Sequence, residues 1–177
     1  MTLTNSSTGS SELTKISCHR PDILISGMQS GADLGALKGA REMNIATGGY
    51  APLGYRTEDG PKPDLGRLFG IAESVHSDYA ARTRENIDIA DVVIVVARRM
   101  DSPGTLLTLE VARKLGKPLF EVIFPTHAYV ENPHIVGDIR SWLNWHRPGI
   151  VMFAGNRESV ARGIEEWTRR LVIKIFS

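Results

Sequence analysis

Four short segments set glycine among small polar residues: SGMQSG (26–31), TGGYAP (47–52), RRMDSPGT (98–105) and AGNRES (154–159). Where such a turn leads into a helix, the first N–H groups of that helix favour an anion. Ordinary strand-to-helix turns use the same residues without any ligand, because Gly, Ser and Asn suit turns. A second constellation lies in DYAARTRENIDIA (78–90), where Tyr79, Arg82, Thr83 and Asn86 recur at i, i+3, i+4 and i+7. That spacing is an inward helix face, yet the residues are polar. Buried Arg82 and Asn86 need partners. Either Arg82 pairs with a carboxylate such as Asp33, Glu58 or Asp59, or the two side chains meet a bound anion or a polar ring. Thr105 and Thr108, one turn apart at a helix start, suit an oxyanion or a nucleobase edge, and equally suit capping.

Several chemistries are disfavoured by what is missing. The dinucleotide pattern G-x-G-x-x-G is absent, and no Gly-Lys-Ser/Thr completes a P-loop. There is no G-x-S-x-G elbow. The histidines at 19, 76, 127, 134 and 146 form no compact metal pattern, so no protein-held metal ion is expected. TEDG (57–60) could supply a base or bind ribose hydroxyls, but it is also a plain turn. Asp33, in the first turn of a helix, favours the helix dipole and would repel an anion placed close to it.

The elements that must position these residues follow from periodicity. Short apolar runs alternate with helical patterns, which predicts a parallel α/β sheet. Strands are expected at 22–26, 45–49, 91–97, 118–124 and 149–155, with DVVIVVA (91–97) the central one because it is apolar throughout. Helices are expected at about 31–43, 78–90, 105–115 and 139–145. A final helix is expected from about Asn156 or Ser159, with Val160, Ile164, Trp167, Leu171 and Ile175 as its apolar face. Residues 51–74 show no clear periodicity and read as a long loop, which in a compact domain is often functional. In ISGMQSGADLGALKGA (25–40) a glycine recurs at every fourth position. Gly27 and Gly31 belong to the turn. Gly35 and Gly39 fall inside the helix, where each costs roughly 1 kcal/mol relative to Ala, so close packing against the sheet or another subunit is expected there.

At 177 residues the chain suits one domain, read here as residues 21–177 after a flexible tail of residues 1–20. The net charge of +1 gives no electrostatic case for nucleic acid. No apolar run is long enough to span a bilayer. The single cysteine, Cys18, allows no disulfide within the chain and fits a reducing, cytoplasmic compartment.

The order of these blocks, ISGMQSGAD, GGYAPLGYRTEDG, YAARTRENI, PGTLLTLEVARKLGKP and FAGNRES, resembles the molybdenum cofactor carrier proteins over about residues 22 to 170. Met28 stands where that family has a second Gly, Ser30 where it has Thr, and Asn156 where it has Pro. The resemblance implies a Rossmann-like three-layer α/β sandwich with a mainly parallel central sheet. It also implies a homo-oligomer, dimer or tetramer, that binds molybdenum cofactor or a molybdate-type oxyanion without catalysis and passes it to molybdoenzymes. Its carry-over of ligand-binding positions falls on Gly27, Gln29, Ser30, Gly31, Arg82, Asn86, Gly104, Thr105, Thr108, Gly155 and Asn156. The fold also looks like that of the lonely-guy phosphoribohydrolases, whose P-G-G-x-G-T-x-x-E signature carries a catalytic Glu. Here SPGTLLTLE puts Thr108 at that position, so a nucleotide-binding protein or such a hydrolase is the alternative reading.

Overall fold

A computed structural model describes residues 17–76, 78–125 and 133–177. The chain opens with β1 (Ile23–Ile25), α1 (Ala32–Glu42) and β2 (Ala46–Gly48), a right-sized βαβ unit. It then passes through β3 (Tyr50–Ala51), β4 (Arg56–Thr57), β5 (Gly60–Pro61), α2 (Pro63–Phe69) and β6 (Ala72–Glu73). The second half runs α3 (Tyr79–Ile89), β7 (Val92–Ala97), α4 (Pro103–Lys114), β8 (Leu119–Ile123), α5 (Pro133–His146), β9 (Ile150–Gly155) and α6 (Ile164–Phe176). The main sheet has five strands in the order β2-β1-β9-β7-β8, all parallel.

Successive side chains of a strand point to opposite faces, and both faces here are covered. Leu24, Ile94, Val96, Val151 and Phe153 join Ala36, Leu37, Ile139, Leu171 and Ile175 in one core, so α1, α5 and α6 cover that face. Ile25, Val93, Val95, Met152 and Ala154 join Ile87, Leu109 and Ala112, so α3 and α4 cover the other. This is the expected three-layer Rossmann-like sandwich. It also explains the unbroken apolar run of β7, which has no solvent face to mark with polar residues.

Four expectations are corrected. The central strand is β9, with β7 one place nearer the edge. The 51–74 stretch is not structureless. It holds the β4–β5 hairpin, the helix α2 with Pro63 in its first turn and a left-handed Gly70 cap, and strands β3 and β6 paired in parallel. These pieces are two to seven residues long, too short to show a period. The last helix begins at Ile164, because residues 157–163 close turns such as Val160 N to Arg157 O, and Gly163 at φ 87° starts the helix. Val160 therefore lies outside it and is 42% exposed, while Ile164, Leu171 and Ile175 are buried as expected. Of the presumed tail, residues 1–16 lie outside the described residues, but 17–20 are docked: Arg20 Nη1 donates to Phe176 O at 3.1 Å and His19 N to Asn144 Oδ1 at 2.5 Å.

The helical glycines are expected to pack against the sheet or another subunit, and instead they serve a contact with α6 of the same chain. A Cβ on Gly35 would stand 2.1 Å from the Glu165 carbonyl oxygen, and one on Gly39 would stand 2.7 Å from that of Arg169. Both carbonyls belong to α6, so α1 and α6 meet backbone to backbone.

Taking β9, β1, β2, β7 and β8 as first to fifth, the sheet order reads 3-2-1-4-5, the beginning of the dinucleotide-fold order. The strand that comes first in that scheme comes last in this chain. In such sheets ligands sit outside the carboxyl ends, where the strand order reverses, and here that crevice opens between β9 and β7.

Candidate functional site

The turn after β1 forms one wall of that edge. Met28 holds a left-handed backbone at φ 59° although it is not glycine, and its side chain is buried. A left-handed φ favours glycine, so Met28 holds this turn against the ordinary preference of a residue with a side chain. The turn brings Gln29 and Ser30, both buried, beneath the β4–β5 hairpin. Gln29 Nε2 donates to Arg56 O at 3.0 Å. Gly31, at φ 81°, has no room for a side chain, since a Cβ would stand 2.4 Å from Asn156 O.

Helix α3 supplies the opposite wall. Asp78 caps it by accepting from Ala80 N and Ala81 N. Its polar stripe does face inward: Arg82 is 7% exposed, and Thr83 and Asn86 are buried. Arg82 lies over Gly27, where a Cβ would stand 1.6 Å from Arg82 Nη1 and 3.0 Å from Asp33 Oδ2. The guanidinium makes no ion pair among the described residues, and its Nε is buried without a hydrogen-bond partner. Burial pushes the Asp33 carboxyl above its ordinary range, with the Arg82 charge pulling the other way. Burial likewise lowers Arg82, with Asp33 opposing. The two are neighbours, therefore, but not the closed salt bridge that would satisfy both. The Tyr79 ring stands between two cations, 6.0 Å from Arg82 Cζ and 5.3 Å from Arg157 Cζ.

Two of the residues expected at the ligand have their side-chain amides engaged by the protein itself. Asn86 Oδ1 accepts from Tyr50 N, and its Nδ2 donates to Tyr50 O and Arg82 O, at 2.9, 2.9 and 3.2 Å. It pins the chain after β2 as a neighbouring strand would. Asn156 Oδ1 accepts from Arg98 N and Arg99 N, both at 2.9 Å. Its Nδ2 faces Arg99 O, Ser102 Oγ and Thr105 Oγ1 at 2.9 to 3.1 Å. This one amide ties the loop after β7 to the end of β9 and fills the bottom of the crevice. A proline at this position would have no amide to make these bonds.

Of the three helix starts expected to favour an anion, one stays open. At α1, Ala32 N donates to Asn156 O and Gly31 N to Glu165 Oε2. At α6, Glu158 accepts from Gly163 N and Glu165 N. At α4, Ser102 does not cap the helix and instead donates to Thr105 Oγ1, and Gly104 is exposed with open space before it. Thr105 and Thr108 are buried, and Thr108 Oγ1 donates to Gly104 O at 3.1 Å. Gly155 is a packing glycine, since a Cβ there would stand 1.8 Å from Val96 O.

Arg157 and Ser159 belong to the same edge and were not singled out from sequence, although both lie in AGNRES. Their partner is the hairpin: Glu58 accepts from Ser30 Oγ and Ser159 Oγ, and Ser30 Oγ also accepts from Glu158 N at 3.3 Å. No group of three or more His, Cys, Asp or Glu that could hold a metal ion occurs among the described residues, and His127 lies outside them.

The resemblance seen in sequence extends to three dimensions. A crystal structure of the "Putative molybdenum carrier protein" from Syntrophus aciditrophicus SB superposes with a TM-score of 0.82 at 26% identity, covering 90% of this chain and 98% of that one. No match is found among curated proteins. Residues 24–176 match the model of the circularly permutated YpsA SLOG family, the relation already visible in a sheet whose first strand is supplied last. The chain belongs to the circularly permutated YpsA SLOG family.

Proposed function

We propose that this protein binds a small anionic ligand at the carboxyl edge of its sheet and holds it without turning it over. Molybdenum cofactor, or a molybdate-type oxyanion, is the ligand that its structural neighbour's name supports. The observation that carries the reading is Arg82. A buried guanidinium with an unpartnered Nε, laid over a glycine and flanked by a tyrosine ring, is an incomplete charge site. An oxyanion beside Gly27 would complete it. The open start of α4, the other helix on the face that α3 covers, adds a second donor group. Asp33 fits this role best when protonated, the form that its burial favours.

The second reading, a nucleotide ligand, is favoured by the strand order, which is that of a dinucleotide fold. Release of a base would need a carboxylate where Thr108 stands, and Thr108 spends its hydroxyl proton on Gly104 O. We further propose a cytoplasmic homo-oligomer that delivers its ligand to molybdoenzymes. Among the described residues no helix is long and apolar enough to cross a membrane. Titration calorimetry with purified cofactor, molybdate and adenosine monophosphate tests the ligand. Saturable binding of cofactor or molybdate is the expected result. Tight binding of the nucleotide alone would overturn it, and release of free adenine would establish the hydrolase.

A further inference from the structure

The β4–β5 hairpin is a self-contained unit. Arg56 pairs with Pro61 and Thr57 with Gly60, Thr57 Oγ1 donates to Gly60 O at 2.8 Å, and Lys62 N closes the base on Tyr55 O at 2.9 Å. From its exposed tip the Glu58 carboxylate reaches across the sheet edge and accepts from Ser30, on the turn after β1, and from Ser159, on the turn after β9. Burial alone would raise that carboxyl. Hydrogen bonds from Ser159 and Ser30 and the nearby Arg157 charge outweigh it and hold the group below the ordinary carboxylate range. Two hydroxyl donors meet on one carboxylate, and Arg157 stands two positions before one of them in the same turn; two hydroxyls and a neighbouring cation are the donor set of an oxyanion site.

We propose that Ser30, Ser159 and Arg157 form an oxyanion subsite, that Glu58 fills it as a tethered stand-in, and that an incoming oxyanion must displace Glu58 and lift the hairpin. The inference rests on the anion-binding reading and adds to it a second subsite and an internal competitor. Phosphate and molybdate share the chemistry that would replace the carboxylate. The Glu58 bond to Ser30 is one of the attachments of the hairpin to the turn after β1, beside the Gln29 bond to Arg56 O, so losing Glu58 weakens the tether.

The test compares wild type, Glu58→Ala and Glu58→Gln by calorimetric titration with molybdate and, separately, with inorganic phosphate. Amide hydrogen exchange is followed across residues 56–61 in the ligand-free proteins. If the hairpin is closed about nine-tenths of the time, freeing the subsite tightens apparent binding about tenfold. Glu58→Ala is expected to show that gain, Glu58→Gln a smaller one, and both faster exchange in the hairpin. Adding Ser159→Ala to Glu58→Ala should remove the gain. Wild type and Glu58→Ala binding the probes equally would overturn the competitor while leaving the anion site at Arg82 standing. Unchanged exchange in Glu58→Ala would overturn it without reference to any ligand. Failure of every variant to bind either probe would overturn the subsite, and the cofactor and nucleotide titrations would then judge the wider reading separately.

Discussion

Helix α1 turns Gly35 and Gly39 toward α6, and helix α3 turns Arg82, Thr83 and Asn86 toward the sheet. Both helices depart from an ordinary apolar inward face. In α1 the departure is closed at the two glycines: a carbonyl of α6 occupies the space that each missing side chain would take. In α3 it is only half closed. Asn86 is saturated by backbone, whereas Arg82, one turn earlier, has a buried Nε with no partner. The glycines of α1 are explained by packing alone, whereas the buried Nε of Arg82 is the observation on which the proposed anion site rests.

The largest effect should come from the closed side. Gly35→Ala drives a methyl into the Glu165 backbone and cannot be relieved by a rotamer change, so denaturant unfolding should show a loss of about 3 kcal/mol. A neutral result would mean that α1 and α6 separate freely and would break the contrast. Asn156→Ala strands Arg98 N and Arg99 N in the crevice, and the same measurement should show a loss of about 2 kcal/mol. Arg82→Met should invert the pattern. Its melting temperature should stay near that of wild type, while molybdate affinity in the folded protein falls at least about tenfold, near 1.4 kcal/mol. A collapse in stability with affinity intact would make Arg82 a packing residue like its counterparts in α1.

Asp33 allows a pH test of the open side. Its carboxyl lies above its ordinary value in the folded state, so its stabilising contribution is full below the unfolded value and is lost as pH rises through the folded one. Asp33→Asn removes that loss, and thermal melts should show the variant gaining on wild type as pH rises above the ordinary carboxylate range. The smallest effect belongs to the outer surface. Glu166, paired with Arg169 and Arg170, has its carboxyl drawn down to about 2, and this contribution is present above its ordinary value and is lost as pH falls toward 2. The group is half exposed, so Glu166→Gln should cost less than about 1 kcal/mol, and high salt should erase the difference.

Much of this contrast was legible in the sequence. The spacing of Arg82 and Asn86 gave the inward polar stripe, and the glycine period divided correctly between turn and helix. The rest is set by contacts distant in the chain. Asn156 and Asn86 look like ligand residues because an unpaired amide is attractive, and only the fold shows that Arg98, Arg99 and Tyr50 have already taken their capacity. Glu58 was readable as a carboxylate near an arginine, but its union with Ser30 and Ser159 joins residues 28 and 101 positions away. The apolar spacing sets the start of α6 too early because Val160 continues the pattern of Ile164, while Gly163 and the Glu158 cap decide where the helix begins.

The position of β9 has a consequence for how the molecule is made. During synthesis β1–β2 and β7–β8 emerge as two separate pairs, each with an unpaired edge where β9 will lie. Asn156, which binds the crevice together, follows β9 directly. A nascent chain can therefore hold Arg82 and the turn after β1 long before it has a crevice, and the seam of the sheet and the binding edge are completed in a single late insertion.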